Sequence, residues 1–554
     1  MPDLSHGAVG KREHNFTTLL PLRANSYNPQ ELATLAASMK GEVDSVKDGP
    51  DPEENLLVPA GYTYFGQFID HDLTFDSTAS LDPSSASSPT NLRTPRFDLD
   101  CLYGDGPAAQ PFMYDGAKLI FKDGPKLPGQ NDLAEKDLMR NALGRAIIGD
   151  KRNDENSIVS QIQLSFVKYH NAVVDALIGK NETTWNTPGQ LFESARNEVR
   201  WTYQRLVVDD FLPRIVRADV VANLAGKSPA QRAKNYALYA KDNRYNLPGE
   251  FVAAAYRFGH SGVRTGYRMN SGIGNRFDIF PASDDATKLA GAVSLLGFDP
   301  ITNNQVVDNW ERFFPNTLPM VIKVEDRSKA ADDVERPAVR LQYAYKLDTT
   351  LVDPMGALPV KQIAGESTTA QAIKAIAPSK LPNTKGKPDR PSLALLNLLR
   401  GDRFRVASGQ TFARALQDSG FPCAVLEHKH LATRQPGVKA NHFKFVPIAN
   451  TLQDDTPLWF YILAEAQAPI VDRFGGQQGT SEFSETKLLT GDGAVTQLGW
   501  VGGRIVAEVF YGLLDADDES FVNAAPAGWK PMFAGANAPV IFRSLLKFAD
   551  PGNA

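Results

Sequence analysis

Cysteine is almost absent: Cys101 and Cys423 are the only two in 554 residues. That excludes a disulfide-stapled scaffold and any cysteine-rich metal site. Long apolar runs are missing too, and nothing approaches the ~18 residues of a membrane span. A basic excess is also lacking. Lys and Arg number 59 against 64 Asp and Glu, a net charge of −5, so no field draws in nucleic acid or an anionic membrane. Met1 to His6 carries no basic stretch leading into an apolar one, so the expected residence is cytoplasmic, or outside by a leaderless route. Several catalytic signatures fail. Gly226-Lys227-Ser228 ends like a phosphate-binding loop, but Val221 stands where its first glycine belongs. There is no Gly-x-Ser-x-Gly, His-Glu-x-x-His or Gly-x-Gly-x-x-Gly.

What is present suits a large globular protein: 42% apolar and 22% charged residues, with 43 Gly and 37 Pro. Residues 1–55 are polar and broken by prolines, and read as an extended N-terminal arm. Residues 56–554 read as a single domain, with surface loops at Asp76–Asn91 and Glu366–Pro391. Helical periodicity dominates. Ile158, Ile162, Phe166, Tyr169, Val173 and Leu177 recur every three or four residues, which predicts one face of a long helix capped by Asp154 or Asn156. Segments 190–206, 411–416 and 458–464 look similar, and alternation is sparse. The expected class is mainly α, with very little β.

Five segments have the residue types that chemistry needs. In Tyr64-Phe65-Gly66-Gln67-Phe68-Ile69-Asp70-His71-Asp72, a helix brings Gln67, Asp70 and His71 to one face, where an imidazole beside a carboxylate can act as a base; a solvated, capped surface helix explains the same pattern. Thr94, Asp98 and Asp100 offer side-chain oxygens, and Arg96 a carbonyl, for a hard cation that wants 6–8 oxygens. Alone, such a loop is an ordinary acidic turn. Arg152 and Glu155 stand three apart before the long helix, as an ion pair or as an arginine aimed at developing negative charge. Ala253 to Ser261 puts small residues before His260 on a buried helix. A haem needs one axial imidazole and a cation near its propionates, and His260 and Arg257 are both on offer there. Leu396 to Gly401, running on to Gln410, says little by itself.

In this order the five segments strongly resemble the animal-type haem peroxidases of the peroxidase–cyclooxygenase superfamily, from about Leu56 to Phe548. Thr456 to Leu463 and Gly502 to Glu508 are similar to its bacterial branch. The resemblance implies a helical fold around a buried haem b, with every candidate from Gln67 to Gln410 converging on it. His71 then matches the distal histidine, Gln67 the residue that orders peroxide, Arg152 the distal arginine and His260 the proximal iron ligand. Asp70 and Glu155 match carboxylates that form ester bonds to haem methyls. Asp72, Thr94, Arg96, Asp98 and Asp100 match a site for one Ca2+, Arg257 a propionate arginine, and Gln410 the amide that bonds the proximal imidazole. The implied activity is reduction of hydrogen peroxide through a ferryl intermediate, with oxidation of small organic donors, halides or thiocyanate, as in a response to oxidative stress.

The sequence departs from the family at four places. Asn156 replaces the methionine of a third haem link, Gln410 replaces an asparagine, Asp402 to Arg405 lacks Arg-Asp-His-Gly, and the downstream propionate arginine has no residue in register. Two rivals are a cyclooxygenase-type fatty-acid dioxygenase and a non-catalytic haem-binding or adhesion module. The first places a radical-forming tyrosine three residues before the proximal histidine, where Arg257 stands here and Tyr256 is one further back. The second predicts broken acid–base machinery, whereas His71, Arg152 and His260 are all present.

Overall fold

Apolar residues at helical spacing form helices wherever the sequence repeats them. The computed structural model describes residues 14–41, 51–75, 90–126, 134–179, 187–239, 247–270, 276–280, 294–315, 341–358, 392–476, 480–489, 491–534 and 539–551. The helices used below are α1 (Pro29–Ser38), α2 (Gly61–Leu73), α3 (Ser157–Gly179), α4 (Pro188–Arg205), α5 (Leu393–Arg403), α6 (Gly409–Asp418), α7 (Leu458–Phe474), α8 (Trp500–Ala516) and α9 (Phe542–Ala549). Strand is confined to small antiparallel ladders among the described residues, such as β1 (Glu54–Pro59) with β2 (Tyr343–Tyr345). The fold is mainly α. The loop expected at Glu366–Pro391 lies outside the described residues, as does most of Asp76–Asn91.

The predicted face of α3 is buried throughout, from Ile158 to Leu177. Asn156 rather than Asp154 caps it, accepting from the N–H groups of Ile158 and Val159 at 3.1 and 2.9 Å. Asp154 is instead committed to Arg140, at 2.7 and 2.8 Å.

The N-terminal stretch is not simply extended. Asn28 accepts from Gln30 N–H at 2.9 Å, Pro29 occupies the first turn of α1, and Leu32, Leu35, Ala36 and Met39 are buried. That apolar spacing lets α1 pack on α5, so the segment gains more by burial than an exposed arm could.

An aromatic cluster fixes α2. Phe68 stacks on Phe166 of α3 with ring centres 4.8 Å apart, and Phe65 meets Tyr203 of α4 and Phe542 of α9 at 6.2 and 4.7 Å. Such pairs add about 0.5–1.5 kcal/mol each beyond the area they bury. Between α6 and α7 the chains approach so closely that a Cβ on Gly409 would lie 1.9 Å from the Tyr461 side chain. Only glycine fits there.

A buried charge network anchors the chain that follows His260. Arg264 bonds Glu54 at 2.8 Å, Lys346 donates to the Glu54 carbonyl at 2.7 Å, and Arg434 pairs with Glu53 and Asp348. Ser261 Oγ donates to the carbonyls of Lys346 and Asp348 at 2.8 and 2.9 Å. The turn carrying His260 is thereby tied to β1 and β2.

Candidate haem and cation site

Helix α2 is buried on all sides except one stripe, Thr63, Gly66, Gln67 and Asp70, which is partly accessible. Spacings of three, one and three put these four residues on one face. That face looks toward a 3-10 turn, Ala255–His260: Tyr256 Oη donates to the Gly66 carbonyl at 3.2 Å, and Thr63 Oγ1 to the Gly262 carbonyl at 3.5 Å. The sequence predicts a continuous helix here. The backbone instead breaks at Ala254 (φ −137°, ψ −69°) between a short helix, Gly249–Ala253, and the turn.

His71 and His260 thus come from two elements that pack against each other, α2 and the 3-10 turn. Burial and then Arg152 push the His71 imidazole down to about 4. Burial and then Arg257 push His260 down to about 3. Asp70 opposes both shifts, so its carboxylate lies within electrostatic range of both rings. Both imidazoles are neutral at neutral pH.

A second set of side chains backs α2. His71 Nδ1 lies 2.7 Å from Asn153 Oδ1, and its Nε2 lies 3.7 Å from Glu155. Gln67 donates to Glu155 and accepts from Asn156 Nδ2 at 3.0 Å, so its amide orientation is fixed. Arg152 is heavily engaged. It pairs with Asp150 at 2.7 Å, donates to the His71 carbonyl at 3.1 Å and also bonds the Thr74 carbonyl. The guanidinium therefore clamps the end of α2. Burial opposes ionisation of Asp150, but Arg152 and Arg93 outweigh it and hold its carboxyl well below the usual range.

The expectation for Gln410 fails. Its Nε2 donates to the Gln453 carbonyl and Thr456 Oγ1, both at 2.7 Å, and its Oε1 accepts from Thr456 N–H at 2.9 Å. All its bonds serve the α6–α7 connection. The amide beside His260 is Asn397 of α5, whose Nδ2 donates to His260 Nδ1 at 2.8 Å while its Oδ1 accepts from Arg257 Nη1 at 3.1 Å. Asn397, Asn153 and Asp150 are the residues that sequence reasoning missed. Asn397 had a signal: a lone amide among Leu395, Leu396, Leu398 and Leu399 that is fully buried. A buried amide requires a partner.

The acidic loop closes against the same helix. Carboxylate oxygens of Asp72, Asp98 and Asp100 lie within 4.8 Å of one another. Thr94 Oγ1 donates to Asp98 at 2.8 Å and to Asp100 at 3.4 Å, and Arg96 belongs to the same loop, its side chain paired with Asp517 at 3.5 Å. Leu99, buried, adopts φ 61° between the two loop carboxylates, a strained conformation for leucine. Burial and the neighbouring carboxylates raise Asp72 well above its usual value, and burial with Asp98 pushes Asp100 up to about 8. Neither Asp72 oxygen has a hydrogen-bond partner among the described residues. Three clustered carboxylates, Asp72 fully buried with both oxygens lacking a hydrogen-bond partner among the described residues, fit a divalent cation that wants oxygen ligands. A Cβ on Gly149 would come within 2.5 Å of the Asp100 carbonyl, so only glycine lets the Arg152 turn abut this loop.

Residues 82–302 match the family model for animal haem peroxidases. That span includes the acidic loop, Arg152, Glu155 and His260, and leaves α2 and α5 outside. Dual oxidase of Drosophila melanogaster is 25% identical over 232 residues, 40% of this chain and 14% of its own length. Dual oxidase 1 of Caenorhabditis elegans is 30% identical over 115 residues, 21% of this chain and 7% of its own. The chain therefore spans a small part of these relatives. Peroxidase A from Dictyostelium discoideum has the same fold: TM-score 0.56 at 13% identity, covering 99% of this chain and 96% of that one. No helix among the described residues is long and apolar enough to cross a membrane. Residues 82–302 are thus similar to an animal haem peroxidase domain, the family that the motifs resemble.

Proposed function

We propose that this protein is a haem peroxidase that reduces hydrogen peroxide and oxidises small organic donors, halides or thiocyanate. One observation carries the reading: His71 and His260 stand on two elements in contact, both imidazoles held low in pKa by burial, with Asp70 in electrostatic range of both. The accessible stripe on an otherwise buried α2 supports a cleft for a bound group. His260 would hold the iron and Arg257 a propionate, with Asp70 and Glu155 available for ester links to haem methyls. Haem bound there supplies the redox centre at which peroxide is reduced and donors are oxidised.

The side chains divide the remaining work. His71, neutral and backed by Asn153, takes a proton from peroxide and returns it to the leaving oxygen, help of about 10²–10⁴-fold. Gln67, its amide fixed by Glu155 and Asn156, orients the peroxide. Arg152 keeps its charge and stabilises negative charge as it develops, while fixing the helix that bears His71. With haem bound, His260 would carry its remaining proton on Nδ1, and Asn397, 2.8 Å away, would accept it by presenting its amide oxygen. A Ca2+ held by Asp72, Thr94, the Arg96 carbonyl, Asp98 and Asp100 would neutralise the buried carboxylates and tie the end of α2 to the loop.

The test is an absorbance spectrum followed by turnover of peroxide with guaiacol, bromide and thiocyanate. A Soret band and turnover lost in His71→Gln support the reading. Absence of haem after reconstitution sinks it. Oxygen uptake with linoleate, without a peroxide donor, would point to the dioxygenase instead.

A further inference from the structure

Asn153 stands between Arg152 and Glu155 and is fully buried. Its Oδ1 lies 2.7 Å from His71 Nδ1, and its Nδ2 donates to Gln163 Oε1 of α3 at 2.8 Å. With Nδ2 donating to Gln163, the amide oxygen is the end that faces the ring. An amide oxygen only accepts, so this contact requires the ring proton to be on Nδ1. A neutral imidazole has one such proton, and Nε2 keeps its lone pair on the side where Glu155 lies 3.7 Å away. Asn153 is itself fixed: its N–H donates to the Asp150 carbonyl at 3.0 Å, and Gln163 is fully buried on the long helix. An imidazole without this acceptor would sample both tautomers, and only one of them can take a proton at Nε2.

We propose that Asn153 is a positioning residue that locks His71 in the tautomer with Nε2 free to accept a proton from peroxide. The proposal rests on the peroxidase reading. In the step it serves, the proton leaves a peroxide oxygen, the O–H electron pair stays on that oxygen, and an Nε2–H bond forms. The imidazolium keeps its Nδ1 proton on Asn153 and gives the Nε2 proton back to the leaving oxygen. Asn153 touches neither peroxide nor haem in this scheme.

The experiment combines nitrogen NMR of labelled histidine with cyanide binding, on the protein as purified, reduced and carbon monoxide-saturated for NMR where haem is bound. The chain has eight histidines, so His71→Gln identifies the resonance. Wild type should show Nδ1 protonated and Nε2 unprotonated. Asn153→Leu removes the acceptor and should give mixed tautomers. Asn153→Asp keeps an acceptor of the same shape and should retain the wild-type pattern; Gln163 Nε2, buried and without a partner among the described residues, can turn to donate to it. Hydrogen cyanide must also pass a proton to Nε2. Its association should slow by about 10²-fold in Asn153→Leu and stay near wild type in Asn153→Asp. An unprotonated Nδ1 in wild type overturns the proposal, as does Asn153→Leu with unchanged tautomer and cyanide rate. If Asn153→Leu does not fold, the wild-type and Asn153→Asp spectra decide. Wild type with the expected tautomer but no peroxide turnover would sink the peroxidase reading and leave the tautomer assignment standing.

Discussion

Asn397 Nδ2 lies 2.8 Å from His260 Nδ1, joining α5 to the turn that faces α2. Gln410, one helix further on, spends its amide on Gln453 and Thr456. The two amides should therefore fail differently. Asn397→Leu should weaken haem retention by about 10–100-fold, with Asn397→Asp largely restoring it. Gln410→Leu should leave haem affinity unchanged and cost about 1–3 kcal/mol of stability, because Thr456 N–H and the Gln453 carbonyl lose their partner. Haem titration and chemical denaturation of the two variants separate the outcomes.

Calcium should stabilise the protein through the Asp72, Asp98 and Asp100 cluster. Chelation should lower the thermal midpoint, and readdition should restore it. At a hundredfold excess over Kd the gain is about 2.7 kcal/mol. Asp98→Asn should weaken the response. Equal midpoints with and without a chelator, in protein that elemental analysis shows to be calcium-free and calcium-loaded respectively, would refute the site.

Haem attachment tests Asp70 and Glu155. After turnover with peroxide, haem should resist extraction by acidified organic solvent. The double variant Asp70→Val, Glu155→Gln should release it. Full extraction from wild type after turnover would remove the ester assignment and leave the non-covalent site intact.

Stability should fall as pH rises through a window set by Glu465. This α7 carboxyl accepts from the N–H groups of Val501 and Gly502 at the start of α8, at 2.9 and 3.1 Å, yet burial pushes it up to about 7. The folded state then holds its proton more tightly than the unfolded chain, whose glutamate titrates near ~4.3. That contribution is complete below the unfolded pKa and is lost as pH climbs through 7, about 3–4 kcal/mol in all. Glu465→Gln should flatten this part of the profile. Parallel pH–stability curves for the two proteins would count against the buried carboxyl.

The sequence alone determined the helical class, the long helix α3 and the two segments, Gln67 to Asp72 and Arg152 to Glu155, that the fold brings together. These follow from local spacing: a period of three or four fixes which side chains share a face whatever packs against it. It also assembled the acidic loop, because Thr94, Asp98 and Asp100 are close along the chain. What needed the tertiary structure were partners chosen across elements. Asn397 rather than Gln410 meets His260, since both helices carry a buried amide and only their packing decides which one comes within 3 Å. Asn153 rather than a neighbour backs His71, and Arg152 meets Asp150 and the end of α2. The N-terminal segment forms α1 because α5 offers it an apolar surface, which its own composition does not reveal. Periodicity is a property of one segment, whereas a hydrogen bond between segments depends on where the whole core places them.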